Sequence, residues 1–160
     1  RGREVQVTAA EKSDWPPCML AAIAELNAAE NVNHAGRRFL ANMSRALGLP
    51  PEQCAGFFVN APDYDANTTN YQISQIYEAE YTPEKCDTLA LNNRCPVSSG
   101  LVEDSLCRRE WLTHPLKYVR ASQRSRQRDA PVAVENGAPD GVEESGSDGA
   151  DGAEAHRMAD

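Results

Sequence analysis

The chain has 160 residues, 41% of them hydrophobic and 25% charged, and a formal net charge of −8. That length suits one domain of ordinary size. No apolar run approaches the roughly 20 residues of a membrane-spanning helix and nothing resembles a signal peptide, so a soluble protein of a reducing cytoplasm is expected. The charge is not spread evenly. Residues 129–160 hold nine acids against one arginine, residues 1–128 hold fifteen of each, and residues 108–128 hold seven bases against one acid. The pattern is a neutral body with a cationic end and an anionic extension, not a generally acidic protein.

Residues 1–14 are polar, with one strand-like run at Glu4–Thr8. With a start at Arg1 and not Met, they read as a connector from an upstream domain. Residues 15–126 hold both tryptophans, all five tyrosines, all three phenylalanines and all five cysteines, and form the expected folded domain. Its pattern is mainly α. Helix one is predicted from Pro16 to Ala29, with prolines at its start and Met19, Leu20, Ile23 and Leu26 on one face. Helix two runs from Val32 to Leu47 and stops at Gly48, a residue suited to the left-handed position after a helix. At about 100° per residue, Phe39, Leu40, Met43 and Leu47 share one side of it. His34, Arg37, Arg38 and Arg45 share the other, around Ala41. A solvated basic face and a phosphate-binding stripe both fit, since arginine offers a planar fork of donors matched to phosphate oxygens.

Pro50-Pro51 opens helix three, which ends near Val59 and buries Cys54 as a small hydrophobe. Asp63 or Asp65 caps helix four, which runs to Glu78. Ile73, Ile76 and Tyr77 form its apolar face. Tyr71 lies opposite, with Tyr64 a heptad before and Gln75 a turn after, and is either ordinary surface or a stacking platform for a base. Two shorter helices follow Pro83 and Pro115, separated by a loop over Asn92–Ser105. Residues 127–160 are rich in Gly, Ala, Asp, Glu and Ser and lack aromatics. They cannot bury enough apolar surface to offset ordering entropy, so a disordered acidic tail is expected.

Cys18, Cys86, Cys95 and Cys107 all fall at turn and helix-end positions marked by prolines, where thiolates are favoured. Four such thiols point to one metal site, either zinc or an iron–sulfur cluster. Structural zinc sites bring tight pairs two to four residues apart. Here 67 residues separate Cys18 from Cys86, eight separate Cys86 from Cys95, and eleven separate Cys95 from Cys107. That scatter favours a cluster clamped between two parts of a fold. Disulfides fit poorly with an odd cysteine count. A zinc-stapled docking module for nucleic acid or protein is the alternative. A radical iron–sulfur enzyme would show a tight three-cysteine motif, which is absent.

These residues resemble a known family. Pro16-Pro-Cys18, His34-Ala-Gly-Arg37, Pro62-Asp63, Tyr71-Gln72, Tyr81-Thr-Pro-Glu-Lys-Cys86, Cys95-Pro96, Cys107 and His114-Pro115 occur in the order found in the C-terminal iron–sulfur domain of the large subunit of archaeal and eukaryotic DNA primase. The resemblance implies a two-lobed helical domain around one [4Fe–4S] cluster held by Cys18, Cys86, Cys95 and Cys107. It implies an accessory, non-catalytic role in DNA replication. The domain would bind template DNA, RNA primer and the initiating 5′-triphosphate for a small catalytic subunit in a heterodimer within the replication machinery at the nucleoid. The contact positions fall on His34, Arg37, Arg45, Tyr71 and Gln75. The family often has a glycine at Ala35, and its eukaryotic members have a tyrosine at Thr69 and a histidine at Gln75. The short Cys95–Cys107 loop points to an archaeal member. Thirteen arginines against three lysines, with the acidic tail, point to a salt-loving source. Phosphoryl transfer needs carboxylates gathered on magnesium, and the one close pair, Asp63 and Asp65, reads as helix capping.

Overall fold

The computed structural model describes residues 10–129. The strand-like run Glu4–Thr8 and residues 130–160 of the expected tail lie outside them, while Gln127 and Arg128, expected in that tail, are helical. The described residues form a 3-10 turn, Lys12–Asp14, and six helices: α1 Pro17–Asn27, α2 His34–Ala46, α3 Pro51–Gly56, α4 Ala66–Ala79, α5 Cys86–Leu91 and α6 Pro115–Arg128. No strand occurs among the described residues. Residues up to Ser125 belong to one compact unit, and the last residues of α6 belong to a second.

Helix α2 is the centre of the packing and touches α1, α3 and α4. Phe39, Leu40 and Met43 are at most 1% exposed, and Leu47 is buried behind them. Burial extends further around α2 than its polar–apolar pattern predicts, because Ala41, Asn42 and Ser44 are also buried. The Ser44 hydroxyl donates to the Leu40 carbonyl at 2.8 Å, so it enters the core satisfied within its own helix. Asn33 caps the helix by accepting from the Gly36 N–H at 2.8 Å. At the other end Gly48 takes φ +79. The Leu49 N–H bonds to the Ser44 carbonyl and the Gly48 N–H to the Arg45 carbonyl, closing a left-handed helix end that only glycine adopts without strain.

The buried face of α1 is Met19, Ala22 and Leu26. Leu20, expected on that face, is 40% exposed. Apolar side chains surround α1 on several sides, so the wheel does not select which arc meets α2. Helix α3 ends at Gly56 and the chain continues in turns to residue 60, short of the expected end near Val59. Helix α4 starts as predicted, with the Asp65 carboxylate accepting from the Thr68 N–H at 2.8 Å. Its Tyr77 hydroxyl donates to the Leu49 carbonyl at 2.7 Å, tying α4 to the turn after α2. Helix α6 has 14 residues, as many as α4, and is not the short helix expected after Pro115. Its buried Leu116 and Val119 anchor it. Asp14 is fully buried in the first unit, where it accepts from the Ser122 hydroxyl at 2.9 Å.

Candidate functional site

Cys18 follows the prolines that open α1, Cys86 begins α5, and Cys95 and Cys107 lie in the turns between α5 and α6. All four line one cavity of about 240 Å³, together with Pro16, Pro115 and Tyr118. Burial holds the Cys18 thiol far above its ordinary range, and Cys86, Cys107 and Cys95 add to the effect in that order. Burial pushes Cys86 up to about 11, helped by Cys95 and Asp87. Burial, then Asp104, Cys86 and Cys95, pushes Cys107 up to about 12. Each thiolate would disfavour the others, so four sulfurs have been brought within electrostatic reach where water screens them poorly. A cationic centre would reverse that balance and draw the protons off.

The cysteine segments are held mainly through backbone groups and neighbouring side chains. The Cys86 N–H donates to the Thr113 carbonyl at 3.0 Å. Asp104 accepts from the Cys107 N–H at 3.1 Å and from the Tyr118 hydroxyl at 2.8 Å, pinning the Cys107 turn to α6. His114 accepts at Nδ1 from the Leu116 N–H at 3.1 Å, which leaves Nε2 to donate to the Pro83 carbonyl at 3.0 Å. The Ser98 N–H points at Cys95 Sγ from 3.4 Å, the kind of backbone donor that stabilises a thiolate. Among the described residues, no three His, Cys, Asp or Glu side chains gather closely enough to hold a single metal ion.

A second feature lies between α2 and α4. A groove follows their contact in two adjoining parts of about 400 and 480 Å³, which share His34, Arg37, Phe58, Thr69 and Gln72. Asp63 and Asp65 line the first part. The second has Arg38 on one wall and Gln75 on the other, over Ala41 and Ile73, and no carboxylate among its described lining residues. The Arg37 fork is fixed on three sides. Nε donates to the Val32 carbonyl at 2.8 Å, Nη2 to Asn31 Oδ1 at 3.0 Å, and Nη1 to the Asp63 carboxylate at 3.1 and 3.2 Å. Arg38 lies over the Tyr81 ring with 5.5 Å to its centroid.

Of the five expected contact residues, His34, Arg37 and Gln75 line this groove. Arg45 does not line it but donates from Nη2 to the Tyr81 carbonyl at 3.0 Å, and so holds a residue that does. Tyr71 is 64% exposed on α4, outside the groove lining. Sequence reasoning placed Arg38 on the stripe without assigning it a contact, and it missed Thr69 and Phe58. For Thr69 the available signal was its place among the departures from the resembled family's pattern.

Over residues 8–127 the sequence matches the family model of the C-terminal domain of the eukaryotic and archaeal DNA primase large subunit. The DNA primase large subunit PriL of Thermoplasma acidophilum is 40% identical over 121 residues, covering 73% of this chain and 34% of that protein. The PriL of Thermoplasma volcanium is 36% identical over 114 residues, covering 69% and 34%. That of Methanocella arvoryzae is 31% identical over 125 residues, covering 76% and 32%. The chain thus spans about a third of the length of these relatives. No solved structure gives a match. The chain belongs to the family of C-terminal domains of primase large subunits.

Proposed function

We propose that this member of the primase large-subunit family is a non-catalytic binding domain. It takes the 5′-triphosphate of an initiating nucleotide or primer, with the template–primer junction, and presents them to a small catalytic subunit. The observation that carries this reading is the α2–α4 groove, with Arg37, Arg38 and His34 along one wall and Gln72 and Gln75 along the other. The relatives' name, large subunit, supports a heterodimer with a smaller partner.

The groove's residues divide the binding work. Arg37 is held by Val32 and Asn31, so its fork is oriented before any ligand arrives, and its Nη1 edge can exchange Asp63 for a phosphate. Arg38 and Arg45 are steadied through Tyr81 and add positive charge beside the apolar floor. His34, at the start of α2, sits where helix N–H groups favour anions. Tyr71 stands outside the groove with its ring free to stack on a base of the junction.

The four cysteines fit a [4Fe–4S] cluster better than zinc. Four thiolates closed on one zinc ion at about 2.3 Å make an ordinary structural site, so the choice of a cluster rests on the family resemblance and on the wide spacing of these cysteines along the chain. All four line one cavity of about 240 Å³, which has room for more than one ion. When bound, the cluster would supply four thiolate bonds and a compensating positive charge, joining α1 to the α5–α6 region. Cys18, Cys86, Cys95 and Cys107 would hold it, with the Ser98 N–H and the Asp104 turn fixing two of the sulfurs' segments.

Two measurements test the reading. The anaerobically purified domain should show a broad absorption shoulder near roughly 400 nm and about four irons per chain. Colourless protein with one zinc would instead support the zinc-stapled module. In fluorescence anisotropy, the domain should bind a primer–template with a 5′-triphosphate more tightly than the 5′-hydroxyl equivalent. Equal affinity for the two would remove the triphosphate from the groove.

A further inference from the structure

Gly36 is buried in the first turns of α2, between His34 and Arg37. A Cβ added there would lie 2.7 Å from Val32 Cγ1, 2.8 Å from Arg94 Nε and 3.0 Å from Arg94 Cζ. Val32 and the Arg94 guanidinium therefore both close on the α2 backbone at Gly36, where even a methyl group has no room. Its side chain is 10% exposed, and Nη2 donates to Glu25 Oε1 of α1 at 3.2 Å. Its own N–H bonds to the Leu89 carbonyl at 2.7 Å, and Cys95 follows immediately. Asn33, the α2 cap, reaches the same segment through its Nδ2, which donates to the Asn92 carbonyl at 3.4 Å. Residues 92–95 are thus seated against the start of α2 by two contacts that involve no sulfur.

A partly buried ion pair such as this, with Glu25 33% exposed, gives little net stability, and the best-attested use of such pairs is to fix register. Arg94 is placed for that use, since it touches α1, α2 and the Cys95 segment together. We propose that Arg94 is a positioning residue for the triphosphate end of the groove. It sets the first turn of α2, and with it His34 and Arg37, against the segment that carries Cys95. The groove therefore discriminates triphosphate ends only when that segment is seated. This inference rests on the groove reading above, and the test separates the two.

The metal-replete domain is titrated with a 5′-triphosphate RNA primer on a DNA template and with the same duplex bearing a 5′-hydroxyl. Arg37→Ala serves as the control for the groove. Arg94→Gln and Gly36→Ala should each cut the preference for the triphosphate about fivefold or more, with iron content and hydroxyl-primer affinity unchanged. Arg94→Lys should restore part of it by renewing the pair with Glu25. Gly36→Ala leaves every charge in place, and in a Val32→Ala background, which removes the nearer Cγ1 contact, it tests the Arg94 contact even where Arg94→Gln fails to fold. The His34 imidazole resonances should shift in Gly36→Ala without ligand. A full preference and unmoved His34 resonances in Gly36→Ala, with the preference lost in Arg37→Ala, would overturn the role of Arg94. A preference that survives Arg37→Ala would overturn the groove reading, and this inference with it.

Discussion

Asp63→Asn should tighten binding of a 5′-triphosphate, although it removes an ion pair. In the free domain Asp63 occupies the Nη1 edge of Arg37 at 3.1 Å, and its side chain is 65% exposed against 24% for Arg37. An ion pair so open to water contributes about 0–1 kcal/mol. The Arg37 fork keeps its bonds to the Val32 carbonyl and Asn31 without it. The melting temperature should therefore change by no more than about 5 °C. Binding moves further. A phosphate taking Asp63's place on Arg37 leaves the carboxylate about 6 Å away, where each pair of unit charges repels by about 0.7 kcal/mol in water and about 2.8 kcal/mol at an effective dielectric constant of 20. The exposure of Asp63 puts the value near the lower end, at about 1 kcal/mol, or about a fivefold gain in affinity. The gain should fade at 1 M salt, where charges are screened beyond about 3 Å. Anisotropy titrations at low and high salt read it directly. Weaker or unchanged binding at low salt would refute the exchange of Asp63 for phosphate on Arg37.

Three further outcomes are expected. Cys18→Ser should lose bound iron and several kcal/mol of stability, because ligand binding and folding are coupled at such sites; full iron content with an unchanged melt would contradict the four-cysteine centre. Arg37→Ala should lower the slope of log affinity against log salt by about one for a primer–template duplex, whereas an unchanged slope would mean that Arg37 contacts no phosphate. Burial raises the Cys54 thiol from 9.0 to about 11. A raised thiol stabilises the fold below its unfolded value, and that stability is lost as pH climbs from about 9 through 11. Urea melts should show about 1 kcal/mol lost by pH 10, and Cys54→Ala should remove that part of the slope; an identical slope in the variant would place the titration elsewhere.

Much of this domain could be read from the chain because its signals are local. Prolines open α1, α3 and α6, Gly48 closes α2, and Asp65 caps α4, each through backbone chemistry within a few residues. The four cysteines were legible by residue type and by the turns they occupy, and one cavity gathers them. Contacts made by distant segments were not legible. A helical wheel put Arg37 and Arg45 on one basic stripe but not their partners, Asp63 for the first and the Tyr81 carbonyl for the second. The same wheel exposed Ala41 on a polar face, yet α4 packs against α2 and Ala41 is 1% exposed. Gly36 is the instructive case. A glycine inside a helix costs about 1 kcal/mol relative to alanine, so its presence between His34 and Arg37 signals that another group must approach the backbone there. The sequence carries that signal but cannot name the group, because nothing local distinguishes Arg94 from the other twelve arginines. Only the fold, by seating the residue before Cys95 on the first turn of α2, turns a costly glycine into a joint between the cysteine centre and the groove.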